Sequence, residues 1–185
     1  PYYKNVIRSS KFSTEMLAFR KKQFSELLTS FDSECVSVFE LGAGEGEHLD
    51  IFKNLGFATA GVENDAEMVE LCCGKGHDVI RGFFDKNTEP LALKKKSFDC
   101  VVSFNFIEHL PDPKGSLRTL AGLIHDNGIA LLEVPNFEMI DSKKLFNEFI
   151  PDHRFYFREE NFRTLLSLSG FEIVSVESIW DDYVL

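Results

Sequence analysis

At 185 residues the chain has one domain's worth of length, and its 44% hydrophobic content, 19 phenylalanines included, supplies a sizeable core. Thirty Asp and Glu against 20 Lys and Arg give a formal net charge of −10, which repels phosphate backbones and argues against a nucleic-acid partner. No apolar run is long enough to span a bilayer, and the four cysteines (Cys35, Cys72, Cys73, Cys100) form no C-x-x-C pair, so they read as reduced, mostly buried thiols of a cytoplasmic protein with no metal site.

Residues 1–12 are polar and aromatic without a clear period. Ser13 can cap a helix running to about Leu28, with Leu17, Phe24, Leu27, Leu28 and Phe31 on one face. Val36–Leu41 is a short β-rich run. Glu47 opens an amphipathic helix carrying Leu49, Ile51, Phe52 and Leu55, and Ala58–Val62 is a second strand ending on Glu63. A helix over Ala66–Lys75 turns Met68, Val69 and Cys72 inward and is stopped by Gly74 and Gly76. Asp78–Arg81 is a third strand, Lys94-Lys95-Lys96 a solvated loop, and Phe98–Phe104 a nearly continuous apolar fourth strand, as expected where both faces are covered. A helix is predicted over Leu117–His125, after which Asn127-Gly128 turns into a fifth strand, Ile129–Val134, ended by Pro135. A loop to about Pro151, a helix over Glu159–Ser169 with Gly170 at its end, and a sixth strand Phe171–Ser178 complete the list. Strands alternating with helices predict an α/β fold with a doubly wound, mostly parallel sheet. One domain is expected over 1–185, with an N-terminal arm and helix over 1–31 and the core over 32–185.

The chemistry concentrates where the first strand meets Gly42-Ala43-Gly44-Glu45-Gly46. Glycine is needed where backbone turns with positive φ or lets a ligand touch the main chain. The loop amides and the helix N-terminus that follows form a seat for an anionic group. The spacing is G-x-G-x-G, and Glu47 stands where the dinucleotide fingerprint G-x-G-x-x-G has its third glycine, so that pattern fails. Glu63 closes the second strand, where a carboxylate can accept from both hydroxyls of a ribose.

Glu40 ahead of the glycines and Glu63 after strand two resemble the first two motifs of class I S-adenosylmethionine-dependent methyltransferases, a resemblance spanning about residues 36–178. It implies S-adenosylmethionine as cofactor and S-adenosylhomocysteine as product. Gly42, Ala43, Gly44 and Gly46 would then pass under the methionine end, Glu40 would orient its ammonium group, and Glu63 with Asn64 would hold the ribose. Adenine would lie near Gly82-Phe83-Phe84-Asp85, although Phe83 and Phe84 can equally be core. Asn105, at the end of strand four, would face the cofactor. The Asn/Asp-Pro-Pro-Tyr/Phe box of enzymes that methylate nucleobase amines is absent there. That fold ends in an antiparallel seventh strand beside strand five, for which only Asp182-Tyr183-Val184-Leu185 remain. With Pro1 at the other end, the chain is expected to be cut from a longer polypeptide. The truncated seventh strand would leave a sheet edge open to homodimer formation or to additional domains.

Glu108-His109-Leu110-Pro111 is similar to the run after strand four in methyltransferases of the ubiquinone-biosynthesis type, with His109 read as a packing residue at a helix entry. Leu132–Asn136 followed by Pro151-Asp152-His153-Arg154-Phe155-Tyr156-Phe157 resembles the deoxysugar C-methyltransferases. The segment after strand five would form a lid, and Phe83–Thr88 and an arm bearing Tyr2, Tyr3, Ser9 and Ser10 add to the resemblance. The resemblance implies a small-molecule acceptor such as a sugar or sugar nucleotide, His153 as the base and Tyr156 as its helper. A purely fold-stabilising His153, a domain that binds cofactor without catalysis and a nicotinamide-dependent oxidoreductase remain open alternatives.

Overall fold

The computed structural model describes residues 14–31, 36–84, 97–180 and 184–185. The arm residues Tyr2, Tyr3, Ser9 and Ser10, the cap Ser13, Cys35, the stretch Asp85–Lys96 and Asp182-Tyr183 lie outside them. Five parallel strands, β1 (Ser37–Leu41), β2 (Ala58–Glu63), β3 (Asp78–Arg81), β4 (Phe98–Phe104) and β5 (Ile124–Glu133), stand in the order β3-β2-β1-β4-β5. The order reverses between β1 and β4. In such sheets the crevice outside the carboxyl ends of the strands at that point is where ligands bind.

Side-chain alternation sorts the two central strands between two apolar layers. Phe39, Leu41 and Val101 face a layer completed by Ile107, Leu117, Leu120, Phe162 and Leu166. Val38, Cys100, Val102 and Phe104 face the other, which holds Phe24 and Phe52. Helix α1 (Thr14–Leu28) enters this second layer through Phe24, whose ring stacks on Phe52 of α2 (Glu47–Asn54) at 3.9 Å between centroids. A buried ion pair fixes α1 further: the Arg20 guanidinium grips both carboxylate oxygens of Glu133 at the end of β5, and lies 4.7 Å over the Phe104 ring.

Several elements depart from the sequence reading. Helix α3 (Ala66–Gly74) matches it within one residue, but α4 runs over Pro113–Ala121 rather than Leu117–His125. Asp112 caps α4 by accepting from Gly115 N (3.0 Å), and Pro113 supplies the preset φ of a first turn. Strand β5 begins at Ile124, and a bulge over His125–Gly128 absorbs the register shift between the Phe98–Ile124 and Cys100–Ile129 pairs. The expected loop to Pro151 contains α5 (Phe137–Ser142), capped by the Asn136 side chain, and a 3₁₀ turn over Phe146–Glu148.

Helix α6 (Glu159–Leu168) follows as expected, but the sixth strand does not form. Residues 171–178 press Phe171, Ile173 and Val176 partly into the core and leave Val174 to solvent, yet have no ladder partner among the described residues. The antiparallel neighbour of strand five is there as a short contact, Val134 and Leu185 exchanging N–H···O bonds of 3.1 and 3.0 Å.

Candidate active site

The loop after β1 turns by left-handed backbone at Gly42, Gly44 and Gly46 (φ +80°, +52° and +81°), which side-chain-bearing residues rarely adopt. It is held from three sides. Gly42 N and Ala43 N both donate to Val62 O of β2 (3.0 and 3.1 Å), Cys72 of α3 donates to Gly44 O (3.4 Å), and Lys75 Nζ donates to Glu45 O (2.7 Å). Space lies open where a Cβ on Gly44 would stand, with nothing within 4 Å. Glu63 is tied to the same loop. One oxygen accepts from Gly44 N (3.0 Å) and the other from Asn64 N and Asp65 N (2.7 and 2.9 Å), so three backbone donors aim the carboxylate at the glycines.

Glu40, 1% exposed, points its Oε1 at His48 Nδ1 (2.9 Å), while its Oε2 has no hydrogen-bond partner among the described residues. Burial pushes its carboxyl above the usual range, and the neighbouring His48 pulls against that. His48 was not singled out from the sequence. Its place in the first turn of the helix after the glycines was the available signal. Asn105 sits exposed at the end of β4 with φ +49°, its N–H donating to Glu133 O (3.1 Å). The expected pair Phe83-Phe84 divides: Phe84 is core, 6.0 Å from the Phe39 ring, and Phe83 is 70% exposed.

A second group of side chains stands at the same edge. A 3₁₀ turn over Ile107–His109 follows β4, and Glu108 O accepts from both Arg154 N (2.9 Å) and Phe155 N (3.2 Å), which brings Asp152 and His153 against it. The rings of His109 and His153 meet edge to face at 4.6 Å. His109 Nδ1 faces Asp152 O (3.2 Å) and Asp152 Oδ2 (3.4 Å), so His109 adds polar partners to its ring packing just ahead of α4.

Glu108 is 1% exposed and neither carboxylate oxygen has a hydrogen-bond partner among the described residues. Burial, with a lesser push from Asp152, raises its carboxyl to about 8. Burial and the neighbouring His109 lower His153 below the ordinary imidazole value. The Tyr156 hydroxyl accepts from Ile150 N (3.0 Å) and lies 3.3 Å from Ile150 O, so it closes the 150–156 turn. The two groups are bridged by Phe106. A Cβ on Gly42 would come within 2.5 Å of its ring, which stands 6.3 Å from the His109 ring. Phe106, Glu108 and His48 are the site residues that sequence reasoning missed.

A family model described as a methyltransferase domain matches residues 11–176. The chain belongs to the methyltransferase family. Among curated proteins it is similar to the C-methyltransferase NovU of Streptomyces niveus, 25% identical over 142 residues. That match takes in 76% of this chain and 34% of NovU, so the chain spans about a third of that relative. Among solved structures, the PH0226 protein of Pyrococcus horikoshii OT3 superposes with a TM-score of 0.73 at 17% identity, covering 99% of this chain and 94% of that one. A SAM-dependent methyltransferase from Archaeoglobus fulgidus gives 0.65 at 22% identity, covering 92% and 73%. The domain has the class I methyltransferase fold expected from its glycine loop and alternating strands and helices. Among its described residues no helix is long and apolar enough to cross a membrane.

Family and fold imply S-adenosylmethionine as cofactor, and the residues present fit it. The open space over Gly44 admits a ligand against the main chain, and the unpartnered, buried Glu40 Oε2 suits a cationic amine.

Glu108 gives the domain a testable pH signature. A carboxyl at 4.5 when unfolded and about 8 when folded keeps its proton longer in the native state. The group's contribution to stability is therefore complete below 4.5 and is lost as pH rises through about 8. Melting temperatures taken in chelator-containing buffers should fall between these limits, and Glu108→Gln should flatten that slope. An unchanged slope in the variant would show that Glu108 titrates normally.

Proposed function

We propose that the chain transfers the methyl group of S-adenosylmethionine to a small-molecule acceptor, of the sugar or sugar-nucleotide class, with His153 as the base. The observation that carries this reading is the His153 imidazole beside the buried Glu108, joined through Phe106 and His109 to the glycine loop. The cofactor supplies a methyl group already activated on a sulfonium. Gly42, Ala43, Gly44 and Gly46 would hold its methionine end, Glu40 Oε2 its ammonium group, Glu63 and Asn64 its ribose, and Asn105 the edge of the cofactor. Phe83 offers an exposed face for adenine, whereas Phe84 supports that corner from the core.

Alignment alone can supply about 7–11 kcal/mol of such a barrier. A hydroxyl or a carbon beside a ketone must also lose a proton. His153, kept neutral near pH 7 by burial, has a free lone pair to take it. Tyr156 is proposed to act by holding the turn that presents His153. The resemblance of the Asp152–Phe157 segment to sugar C-methyltransferases favours a sugar acceptor, and the similarity to the C-methyltransferase NovU favours carbon as the methylated atom.

Two experiments test the reading. In calorimetry, S-adenosylhomocysteine should bind and NAD should not; the reverse would make this an oxidoreductase. A donor-fed panel of sugar nucleotides should yield a methylated product; a panel with binding but no product would leave a cofactor-binding module. Gly44→Val should abolish the rise in melting temperature given by S-adenosylhomocysteine, since a β-branched side chain both opposes φ +52° and fills the open space. Glu63→Ala should weaken that rise.

A further inference from the structure

Glu108, His109 and His153 each offer one ligand atom, and the three atoms lie within 4.8 Å of one another. His109 Nε2 is 3.8 Å and His153 Nε2 3.9 Å from the same oxygen, Glu108 Oε1. These gaps exceed hydrogen-bonding distance. Ligand atoms at about 2.0–2.2 Å from a tetrahedral ion stand ~3.3–3.6 Å apart, so the gaps need to close by only a few tenths of an ångström on an ion. Both Glu108 oxygens are buried without a hydrogen-bond partner among the described residues, an arrangement that costs stability unless something compensates it. His109 has the outer contact typical of a metal-ligating imidazole. Its Nδ1 faces the Asp152 carboxylate and carbonyl, which sets the proton on Nδ1 and frees the Nε2 lone pair toward Glu108. Two imidazoles and one carboxylate suit a first-row divalent ion such as Zn²⁺, whereas Mg²⁺ and Ca²⁺ prefer all-oxygen sets.

We propose that Glu108, His109 and His153 bind a first-row divalent cation of the Zn²⁺ type, and that its binding blocks methyl transfer. An ion on His153 Nε2 leaves the ring's remaining proton on Nδ1, so neither nitrogen can accept a proton from an acceptor. The blocking consequence rests on His153 being the base; the binding itself does not.

Co²⁺, a coloured stand-in for Zn²⁺, tests the site without any turnover. Metal-stripped protein titrated with Co²⁺ should develop a visible ligand-field band that one equivalent of Zn²⁺ abolishes. Glu108→Gln and His109→Ala, checked for folding by their melting curves, should each weaken Co²⁺ at least ~100-fold, and Asp152→Ala about tenfold because the backbone carbonyl stays. No band, or a band equally strong in Glu108→Gln and His109→Ala, would overturn the site. With an accepted acceptor, stoichiometric Zn²⁺ should cut turnover at least about tenfold, and EDTA should restore it. Activation by Zn²⁺ would overturn the blocking role and the base assignment together while the cobalt band still reported the site.

Discussion

His153→Ala should lower turnover by ~10²–10⁴-fold, the usual contribution of a positioned general base. S-adenosylhomocysteine affinity should stay within about twofold, because the proposed base would meet acceptor and not cofactor. His153 stands against Glu108 and His109, with Phe106 between this group and the glycine loop. In the wild type, the rate should rise with pH through a value below the ordinary imidazole range, because burial and His109 oppose the charged ring. That limb should vanish in the variant. A variant that melts earlier but keeps its rate per folded molecule would make His153 a structural residue, and the base would have to be sought elsewhere.

Arg20→Ala should cost about 3–5 kcal/mol of folding stability, the range for stripping one partner from a buried ion pair. Arg20 and Glu133 are each 3% exposed, and the guanidinium meets both carboxylate oxygens. Without it, Glu133 keeps, among the described residues, only the weaker side-chain contact from Gln23 Nε2 at 3.3 Å, and Phe104 loses the cation over its ring. Urea unfolding should show the midpoint falling at an unchanged slope. Replacing both partners with apolar residues, as in Arg20→Met with Glu133→Leu, should recover most of the loss, because no charge is then left stranded. A loss of less than about 1 kcal/mol for Arg20→Ala would mean the pair is solvated like a surface bridge.

The cofactor half of the fold was legible because its signals are local. Three glycines between an apolar strand and an amphipathic helix specify a turn, and Asp78–Arg81 and Phe98–Phe104 carry strand patterns that the structure matches to the residue. Helix α4 was misplaced because the apolar spacing of Leu117, Leu120 and Ile124 outweighed the start signal Asp112-Pro113; Leu123 and Ile124 are apolar for the turn and strand they enter. The sixth strand failed for a different reason: an apolar alternation states which side chains face inward but not whether a ladder partner exists. Buried charge was least legible. Arg20 and Glu133 lie 113 residues apart, and nothing near either one announces the other. Glu108 was passed over beside His109 because its burial depends on the 152–155 segment folding back across it.

The pairing of β1 also bears on the order in which the molecule assembles. Its partner β2 follows after one short helix, with Ser37 opposite Ala58, whereas β4 brings Cys100 to Val38 only after two further connections. Closing the longer loop must be met before its contacts give any return, which makes the β1–β4 junction the slow step of a parallel sheet. During synthesis the glycine loop and Glu63 leave the ribosome within the early β1-α2-β2-α3-β3 segment, ahead of the chain carrying Glu108 and His153. The glycine loop and the Glu63 carboxylate that braces it are thus made of neighbours in sequence. The opposite wall waits for long-range closure, so lesions in β4 should trap a half-built sheet before they touch the loop itself.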